Sequence, residues 1–157
     1  MATRPESGEK LIAANKKAFH DYFVLQKFEA GLVLTGTEVK SLRDGKANLK
    51  DAYVIFKDDE SFLFGLHISP YSHGNIQNHD PDRTRKLLLH RRELDKLRSQ
   101  IVEKGLSVVP LRLYFKGSRV KAEIAIVRGK KQFDKRETEK KREADRETAQ
   151  AIKTHRH

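Results

Sequence analysis

The sequence SVVPLRLYFKGSRVKAEIAIVR, residues 107–128, decides the fold class because it holds two strand-forming runs joined by a turn. The runs meet at Gly117 and Ser118, residue types that favour tight turns. In the second run, apolar residues occupy every other position from Val120 to Ile126, which is the period of a strand with one buried face. The stretch predicts an antiparallel hairpin and a protein that is mainly β.

Strand-forming residues recur upstream of this hairpin. Residues 22–30 (YFVLQKFEA) predict a strand that ends at Gly31, where the absence of a side chain permits a bend or a bulge. Residues 49–57 and 62–68 flank the polar segment 58–61 and predict a second hairpin. These segments together predict a sheet of several short antiparallel strands.

Two short helices are predicted between the strands. The first covers residues 38–43, and the second, residues 91–104, has Leu94, Leu97 and Ile101 at helical spacing. Five or six strands with two short helices, in about 110 ordered residues, suit a small closed antiparallel β-barrel of OB type. Periodicity alone does not distinguish such a barrel from an open sheet packed against a helix.

The charge balance points to a polyanionic partner. The 157 residues include 33 Lys and Arg against 22 Asp and Glu, a formal charge of +11. A field of this sign attracts polyanions, so nucleic acid is the first partner class to consider and an anionic membrane surface the second. No apolar run approaches the ~18 residues of a spanning helix, and no cysteine is present. We therefore expect a cytoplasmic protein without disulfides or cysteine-based zinc sites.

The composition changes near Gly129 and divides the chain into two parts. Residues 1–128 contain almost all the aromatic and large aliphatic side chains and are predicted to form an RNA-binding barrel domain. Residues 129–157 form a basic tail that is too poor in apolar residues to offset the entropy lost on ordering. We expect the tail to be disordered when free and to become helical on a partner, since its charges have helical spacing.

Cations cluster at several places. Residues 15–22 (NKKAFHDY) combine lysines, a histidine and aromatic side chains, a mixture that can contact phosphates, sugars and bases. The alternative is a solvated arm with Tyr22 in the core, and the octet alone does not decide between them. Lys40 and Arg43 lie three apart on the first predicted helix and could meet an RNA backbone. A surface helix whose Glu38 pairs with a nearby cation is the simpler interpretation.

The densest basic cluster is RTRKLLLHRR, residues 83–92, in which five cations surround three leucines. Charges held on a rigid apolar anchor bind phosphate better than charges on a free arm, so RNA contact is favoured here. Further cations, among them Lys121, follow the last hairpin and the start of the tail. Each of these is weak evidence alone, because cations on the exposed face of a sheet also serve solubility.

The sequence offers no convincing catalytic or metal-binding constellation. His73, His79 and Asp80 lie in one loop but lack a recognised ligand spacing. His20 beside Asp21 could support acid–base chemistry, which keeps a basic ribonuclease as an alternative. No phosphate-cradling loop, dinucleotide fingerprint or nucleophile elbow is present. We expect a protein that is not an enzyme and needs no cofactor or metal.

Two further alternatives follow from the positive charge alone. A general ribosome-surface RNA-binding protein would have the same composition. A peripheral membrane protein would need an amphipathic helix with bulky apolar anchors, and the tail lacks such anchors.

Five longer stretches follow one another along nearly the whole chain: NKKAFHDY (15–22), FEAGLVLTGTEVKSLRDGKANLKDAYV (28–54), HISPY (67–71), HDPDRTRKLLLH (79–90) and GKKQFDKRE (129–137). Their most specific strings are EAG, GTEVKSLR, RTRKLLL, and GKK followed by DKR. In these stretches the sequence resembles the SmpB family, also called SsrA-binding proteins.

The resemblance implies an OB-type barrel that binds the tRNA-like domain of transfer-messenger RNA (SsrA) near its elbow and stands in for the missing anticodon arm. It also implies delivery of this RNA to stalled ribosomes for trans-translation, with elongation factor Tu engaged indirectly through alanyl transfer-messenger RNA. The basic tail is expected to occupy the empty mRNA channel and the decoding centre of the small subunit.

Candidate site residues follow from the resemblance and from the basic clusters. The resemblance implies RNA contacts at Asn15, Lys16, His20, Tyr22, Glu29 and Leu88. The clusters add Lys40, Arg43, Arg83, Arg85, Lys86 and Lys121. The tail positions expected at the decoding site are Gly129, Lys130, Lys131, Phe133, Asp134, Lys135 and Arg136. Some family members carry His where Phe133 stands, so stacking is preserved there but a histidine hydrogen bond is not.

Overall fold

The chain folds mainly as β-structure. The computed structural model describes residues 8–72, 77–101, 105–131, 135, 136, 139–143 and 146, which contain nine strands and three helices with defined bounds. In chain order these are β1 (Glu9–Ala14), α1 (Lys16–Asp21), β2 (Tyr22–Leu32), α2 (Gly36–Arg43), β3 (Ala47–Asn48), β4 (Tyr53–Lys57), β5 (Glu60–Phe64), β6 (His67–Ile68), β7 (Arg85–Leu88), α3 (Arg91–Ile101), β8 (Leu106–Lys116) and β9 (Arg119–Gly129).

Seven strands form one antiparallel sheet in the order β1-β8-β9-β2-β7-β5-β4, and β3 pairs separately with β6. The hairpin of β8 and β9 is confirmed, with Lys116 opposite Arg119 across a tight turn in which Gly117 has a φ of 61°. The ladder is interrupted between Pro110 and Arg112, because proline has no N–H to donate and is accommodated at a bulge.

The central ladder of β2 and β9 determines where the functional surfaces lie. It runs from Tyr22 opposite Gly129 to Gly31 opposite Lys121. Strand β2 continues through Gly31 to Leu32, and its register irregularity with β9 falls between Val24 and Gln26, so the bulge that Gly31 would permit is not found there. Gly31 instead allows a close approach: a Cβ there would lie 3.3 Å from the Cβ of Leu88.

The predicted hairpin at 49–68 is present, but its strands are shorter than predicted and span Tyr53–Lys57 and Glu60–Phe64. Asp58 and Asp59 both have positive φ, as a two-residue hairpin turn requires, so β5 begins directly at Glu60. The second predicted strand breaks at Gly65, which has a φ of 87° and lies so close to Ala52 that a Cβ would meet its Cα at 3.2 Å.

Both predicted helices are present, as α2 and α3. Helix α2 begins with a capping box in which Thr35 and Glu38 satisfy each other's backbone groups. Helix α3 buries Leu94 and Leu97, as the spacing predicts, and ends at Ile101 within the described residues. Sequence analysis missed β1, α1, β3 and β7, which are only two to six residues long.

The core lies on both sides of the β8–β9 hairpin. The larger cluster includes Leu63, Leu97 and Ile124. A smaller cluster on the opposite face packs Ala18 of α1 against Val109 and neighbouring apolar side chains. Helix α1 is therefore fixed to the end of the sheet from which the tail departs.

One contact between strands and one property of the helices complete the description of the fold. Strand β4, at one edge of the sheet order, contacts β8 near the other edge, although no ladder joins them among the described residues. Among the residues that the structure describes, no helix is long and apolar enough to cross a membrane.

Candidate nucleic-acid interface

Two basic surfaces lie at opposite ends of the β2–β9 ladder. The first, the Leu88 groove, has a volume of about 320 Å³ and is lined by residues that include Gly31, Leu34, Val39, Leu88, Arg119 and Lys121. The second, the α1–tail surface, consists of Lys16, His20, Asp21, Lys130, Lys135 and Glu139. Gly31 lies nine positions after Tyr22 on β2, which is about 30 Å at the rise of a strand.

The Leu88 groove displays an apolar side chain between cations. Leu88 is 53% exposed, although it lies on a strand that pairs with β2 opposite Gly31. Because Gly31 has no side chain, Leu88 can pack against the β2 backbone. A Cβ at Gly31 would lie 3.8 Å from Nζ of Lys121, so the amine is close to the same point. An exposed leucine held rigidly beside amines can contact a sugar or a base while the amines contact phosphates.

Glu29 lies on β2 near this groove and is held in its charged form. Its carboxylate accepts a hydrogen bond from the hydroxyl of Tyr114 and lies 3.4 Å from Nζ of Lys116. The Tyr114 hydrogen bond, aided by the charge of Lys116, keeps the pKa of Glu29 below its ordinary value. Burial and the neighbouring carboxylate raise the pKa of the Tyr114 hydroxyl. Glu29 is 39% exposed, so it can still accept a further hydrogen bond.

Arg85 is the clearest departure from the predicted set of RNA contacts. Its side chain is fully buried, and its guanidinium donates to Glu38 Oε2 at 2.5 Å and to the carbonyls of Leu66 and Pro81. A guanidinium with these partners cannot touch RNA. The prediction is wrong because the sequence pattern of cations does not reveal which one turns inward. Arg85 ties α2, which contributes Val39 to the groove, to the segment before β7.

Glu38 is the buried partner of this network. Burial alone would raise its pKa, but hydrogen bonds from Arg83, Thr35 and Arg85 outweigh burial and lower it. The sequence predicted that Glu38 pairs with a cation nearby in the chain. Its partners Arg83 and Arg85 are instead 45 and 47 residues away from it. Arg83 keeps 36% of its side chain exposed while it donates to Glu38, so it can also face RNA.

The other predicted cations of the groove end lie at its margins. Lys40 is exposed on α2 and lies over the ring of Tyr71, 5.6 Å from its centroid. Arg43 is exposed beside Phe115 on a separate shallow cleft. Lys86 pairs with Glu60 at 3.0 Å on the outer face of β7. These three positions surround the groove region without lining the groove itself.

Asn15 is placed at the start of α1 and has its side chain fully engaged. Its Oδ1 accepts from the N–H of Ala18, and its Nδ2 donates to the carbonyls of Pro110 and Leu49 at 2.9 and 3.3 Å. The residue is 5% exposed. It anchors α1 to β8, and this geometry favours an indirect role over the RNA contact that the resemblance implies.

The remaining α1 residues are more accessible. Lys16 is exposed, whereas Lys17 forms an ion pair with Asp51 at 2.5 Å. Tyr22 is half-buried against the smaller core cluster and lines a cleft of about 370 Å³ between α1 and β4. The arm proposed as the alternative for these residues is therefore an ordered helix, with Tyr22 at the edge of the core.

His20 joins α1 to the tail. Its Nδ1 lies 2.8 Å from Asp21 Oδ1 and its Nε2 lies 2.6 Å from Glu139 Oε1. Both carboxylates, Asp21 first, raise the pKa of His20. The tail root is further fixed by Lys130, whose N–H donates to the carbonyl of Asp21 and whose amine donates to the carbonyl of Phe19.

The predicted tail positions divide into those that the structure describes and those outside it. Gly129 ends β9, Lys131 is exposed, and Lys135 and Arg136 are helical. Phe133 and Asp134 lie outside the described residues. Residues 139–143 and 146 are also helical. The predicted disorder of the free tail stays a prediction, and these residues adopt the helix that was expected only on a partner.

The histidine loop offers no metal centre within the described ranges, where no group of three potential ligands occurs. His79 places Nδ1 2.9 Å from the Thr37 hydroxyl and Nε2 2.9 Å from the Ile68 carbonyl, so both nitrogens serve the packing of α2 against this loop. His73 lies outside the described residues.

Sequence reasoning missed Gly31, Tyr114 and Lys116 as site residues. Gly31 sits in the EAG string, but only its contact with Leu88 explains why a side chain is absent. Tyr114 and Lys116 are 85 and 87 residues from Glu29 along the chain. The register of β8, β9 and β2 brings them together, and no local pattern could have indicated this contact.

Comparison with known proteins connects this chain to one family. The family model described as SmpB protein matches residues 12–154. The SsrA-binding protein of Geobacter sulfurreducens is 60% identical over 146 residues, covering 93% of this chain and 95% of that protein. The SsrA-binding protein of Geobacter metallireducens is 62% identical over the same length and coverage.

A solved structure has the same fold and a related sequence. A chain from the structure described as "tmRNA-SmpB: a journey to the center of the bacterial ribosome" superposes with a TM-score of 0.66 at 45% identity. The match covers 76% of this chain and 85% of that chain.

Proposed function

This chain belongs to the SmpB protein family, and from that membership we propose that it binds the tRNA-like domain of transfer-messenger RNA and delivers it to stalled ribosomes for trans-translation. The observation that carries the proposal is the separation of the Leu88 groove from the tail root by the full length of the β2–β9 ladder. A protein that holds one RNA while its tail probes another needs two such surfaces on a rigid connection.

The Leu88 groove is the proposed site for the tRNA-like domain. Leu88 packs against a sugar or an unstacked base, and Lys121 neutralises a neighbouring phosphate. Glu29 remains ionised, so it accepts hydrogen bonds from a 2′-hydroxyl or a base N–H. Apolar contact and a carboxylate acceptor give selectivity that cations alone do not provide.

The tail is the proposed ribosome-binding element. It carries 10 Lys and Arg against 6 Asp and Glu in residues 129–157 and leaves the sheet at Gly129, the end away from the groove. Small-subunit rRNA around the empty mRNA channel and decoding centre would neutralise this charge and favour a helix. Lys131, Lys135 and Arg136 would contact rRNA there, with Phe133 and Asp134 between them in sequence.

Several finer features belong to the same proposal. We infer that the sheet curls into an OB-type barrel, which the contact between β4 and β8 supports. The barrel domain is 1–128 and the tail is 129–157. The protein acts in the cytoplasm as a binding protein without enzymatic activity, metal or cofactor. Elongation factor Tu joins indirectly through alanyl transfer-messenger RNA.

The test is selective, salt-dependent binding. The purified full chain is titrated with the tRNA-like domain and with an unstructured RNA of equal length at several salt concentrations. Each phosphate contact contributes a slope of roughly 0.7 to 0.9 in log affinity against log salt, so both RNAs should give steep lines. The tRNA-like domain should bind more tightly at every salt concentration and remain intact. Equal affinities would contradict the proposal, and cleavage with turnover would favour a ribonuclease.

A further inference from the structure

Tyr114 is buried on a face of the sheet that carries charged side chains. Its neighbours in β8, Leu113 and Phe115, pack with the larger core cluster. Because successive side chains of a strand point to opposite faces, Tyr114 lies on the other face, together with Arg112 and Lys116. Tyr114 is nevertheless only 2% exposed. A phenol buried in this way needs a specific partner for its hydroxyl.

The partner of the Tyr114 hydroxyl is Glu29, which lies two strands away. Tyr114 is opposite Lys121 of β9, whereas Glu29 is opposite Glu123 of the same strand. The Tyr114 side chain therefore crosses β9 diagonally, and its hydroxyl donates to Oε2 of Glu29. An ionised carboxylate only accepts hydrogen bonds, so the phenol is the donor. A hydrogen bond to an ionised acceptor is stronger than one between neutral groups.

The ring of Tyr114 is held by a stacked cation. The guanidinium carbon of Arg112 lies 4.3 Å from the ring centroid. Arg112 is itself fixed by Glu123 at 3.2 Å and by Glu9 of β1 at 3.7 Å. A planar guanidinium that stacks on an aromatic ring restricts the movement of the ring. The hydroxyl is therefore presented to Glu29 from one position.

Glu29 lies among competing charges. Glu123, directly opposite on β9, repels it, while Lys116 attracts it with Nζ 3.4 Å from Oε1. The charge of Lys121 also acts on Glu29. Gly31 follows Glu29 by two positions on the same face of β2, and the Lys121 amine lies close to Gly31. A Glu29 side chain released from Tyr114 could turn to this amine and neutralise a charge that the proposed function assigns to a phosphate.

We propose that Tyr114 is a positioning residue for RNA binding: its hydroxyl holds the Glu29 carboxylate as an acceptor for RNA and keeps it away from Lys121. The inference rests on the proposed function, which brings Glu29 and Lys121 into contact with the tRNA-like domain. Tyr114 does not touch the RNA itself, because it is buried. Its effect on affinity passes through Glu29, so the hydroxyl matters and the ring alone does not suffice.

The first experiment measures the contact in the free full-length protein. NMR titration of the side-chain carboxyl carbon gives the pKa of Glu29 in the original chain, in Tyr114→Phe and in Tyr53→Phe. Tyr53 is the control, because its ring pairs with Phe64 and is 44% exposed. The Tyr114 hydrogen bond is the main cause of the lowered Glu29 pKa, so Tyr114→Phe should raise it and the control should not. An unchanged pKa in Tyr114→Phe would overturn the inference.

The second experiment separates positioning from a purely structural role. The Kd for the tRNA-like RNA is measured at neutral pH and one salt concentration for the original chain, Tyr114→Phe, Glu29→Ala and the double variant. Loss of the effect of one hydrogen bond corresponds to roughly a two- to twelvefold rise in Kd for Tyr114→Phe. In the Glu29→Ala background the same substitution should leave Kd unchanged. An equal rise in both backgrounds would indicate a structural role and would contradict positioning.

A further variant covers the case in which Tyr114→Phe does not fold, which thermal unfolding detects. Glu29→Asp changes a partly exposed position, retains the charge and withdraws the carboxylate from the Tyr114 hydroxyl by one methylene. We expect its Kd to rise as in Tyr114→Phe. A Kd equal to that of the original chain would mean that the position of the carboxylate is unimportant, and the inference would be wrong.

The same titrations distinguish this inference from the proposed function. If the original chain does not bind the tRNA-like RNA, the proposed function fails and the positioning role fails with it. If the original chain binds and folded Tyr114→Phe binds with the same Kd, only the role of Tyr114 is wrong.

Discussion

The Leu88 groove and the α1–tail surface are both basic, yet they are built in different ways. The groove lies on sheet strands, and the buried pair of Arg85 and Glu38 supports it from within. The α1–tail surface lies on a six-residue helix, and its contacts to the tail are partly exposed ion pairs. Buried contacts hold a preformed recognition site, whereas exposed charges permit release. Salt should therefore weaken the contacts of the α1–tail surface more than those that hold the groove.

The largest expected effect comes from removing the tail. A chain that ends at Lys130 retains Gly129 in its pairing with Tyr22 and the backbone bond from Lys130 to Asp21. We expect it to fold and to bind the tRNA-like RNA with unchanged Kd, but to lose rescue of stalled ribosomes. Thermal unfolding, RNA titration and peptidyl transfer to alanyl transfer-messenger RNA measure the three properties. Full peptidyl transfer by the truncated protein would show that the two surfaces do not have separate tasks.

The buried support of the groove gives the next largest effect. Glu38→Ala leaves the guanidinium of Arg85 buried without its carboxylate, a change that destabilises proteins by about 3–5 kcal/mol. Chemical denaturation measures the loss. Glu60→Ala is the control, since Glu60 pairs with Lys86 at the surface, where an ion pair contributes about 0–1 kcal/mol. Similar stabilities for the two variants would mean that the groove has no rigid support.

Leu88 and Glu29 should affect RNA binding with little effect on stability, because both are partly exposed. Leu88→Ala removes three carbon atoms, each worth about 0.8 kcal/mol when buried, so binding should weaken by up to about 2.4 kcal/mol, roughly a fiftyfold rise in Kd. Glu29→Gln should weaken binding in the same direction, and Asp95→Asn on α3 serves as the control. Unchanged Kd in both folded variants would remove these residues from the interface.

The pH dependence of Glu29 sharpens the same test. Its folded pKa is lowered, so the stabilisation by its charge is present above the ordinary value of 4.5 and is lost as pH falls through the lowered pKa. RNA affinity at the groove should therefore stay constant from neutral pH down to about 4.5. At the other surface, His20 loses its charge as pH rises through its raised pKa, which lies above 6.5. The two surfaces can therefore be distinguished by pH alone.

The smallest expected effect is that of a single exposed cation. Lys16→Ala should reduce the salt slope of RNA binding by about 0.7–0.9 if it contacts one phosphate. Lys50→Ala provides the comparison as an exposed lysine outside the predicted contacts. Affinities measured from low to moderate salt give both slopes, and equal slopes for the two variants would assign Lys16 to solvent.

The amount that could be predicted differs between elements for a physical reason. The β8–β9 hairpin, α2 and α3 follow from local signals, because alternation, turn residues and helical spacing are properties of neighbouring residues. Strand β7 was missed, since Arg85–Leu88 is too short for a period and its strand character comes from pairing with β2 and β5. Helix α1 depends in the same way on Asn15 bonding to distant carbonyls.

The sequence by itself determined the mainly β fold class, the positive charge, the division near Gly129 and the family resemblance, since each is a property of composition or of residues close together in the chain. Only the tertiary structure decided which predicted contacts are available. It buries Arg85 and Asn15, exposes Leu88, brings Tyr114 to Glu29, and joins Glu139 to His20. These outcomes depend on strand register and packing between residues far apart in the chain, and a cation in a sequence carries no mark of whether its side chain will face RNA or the core.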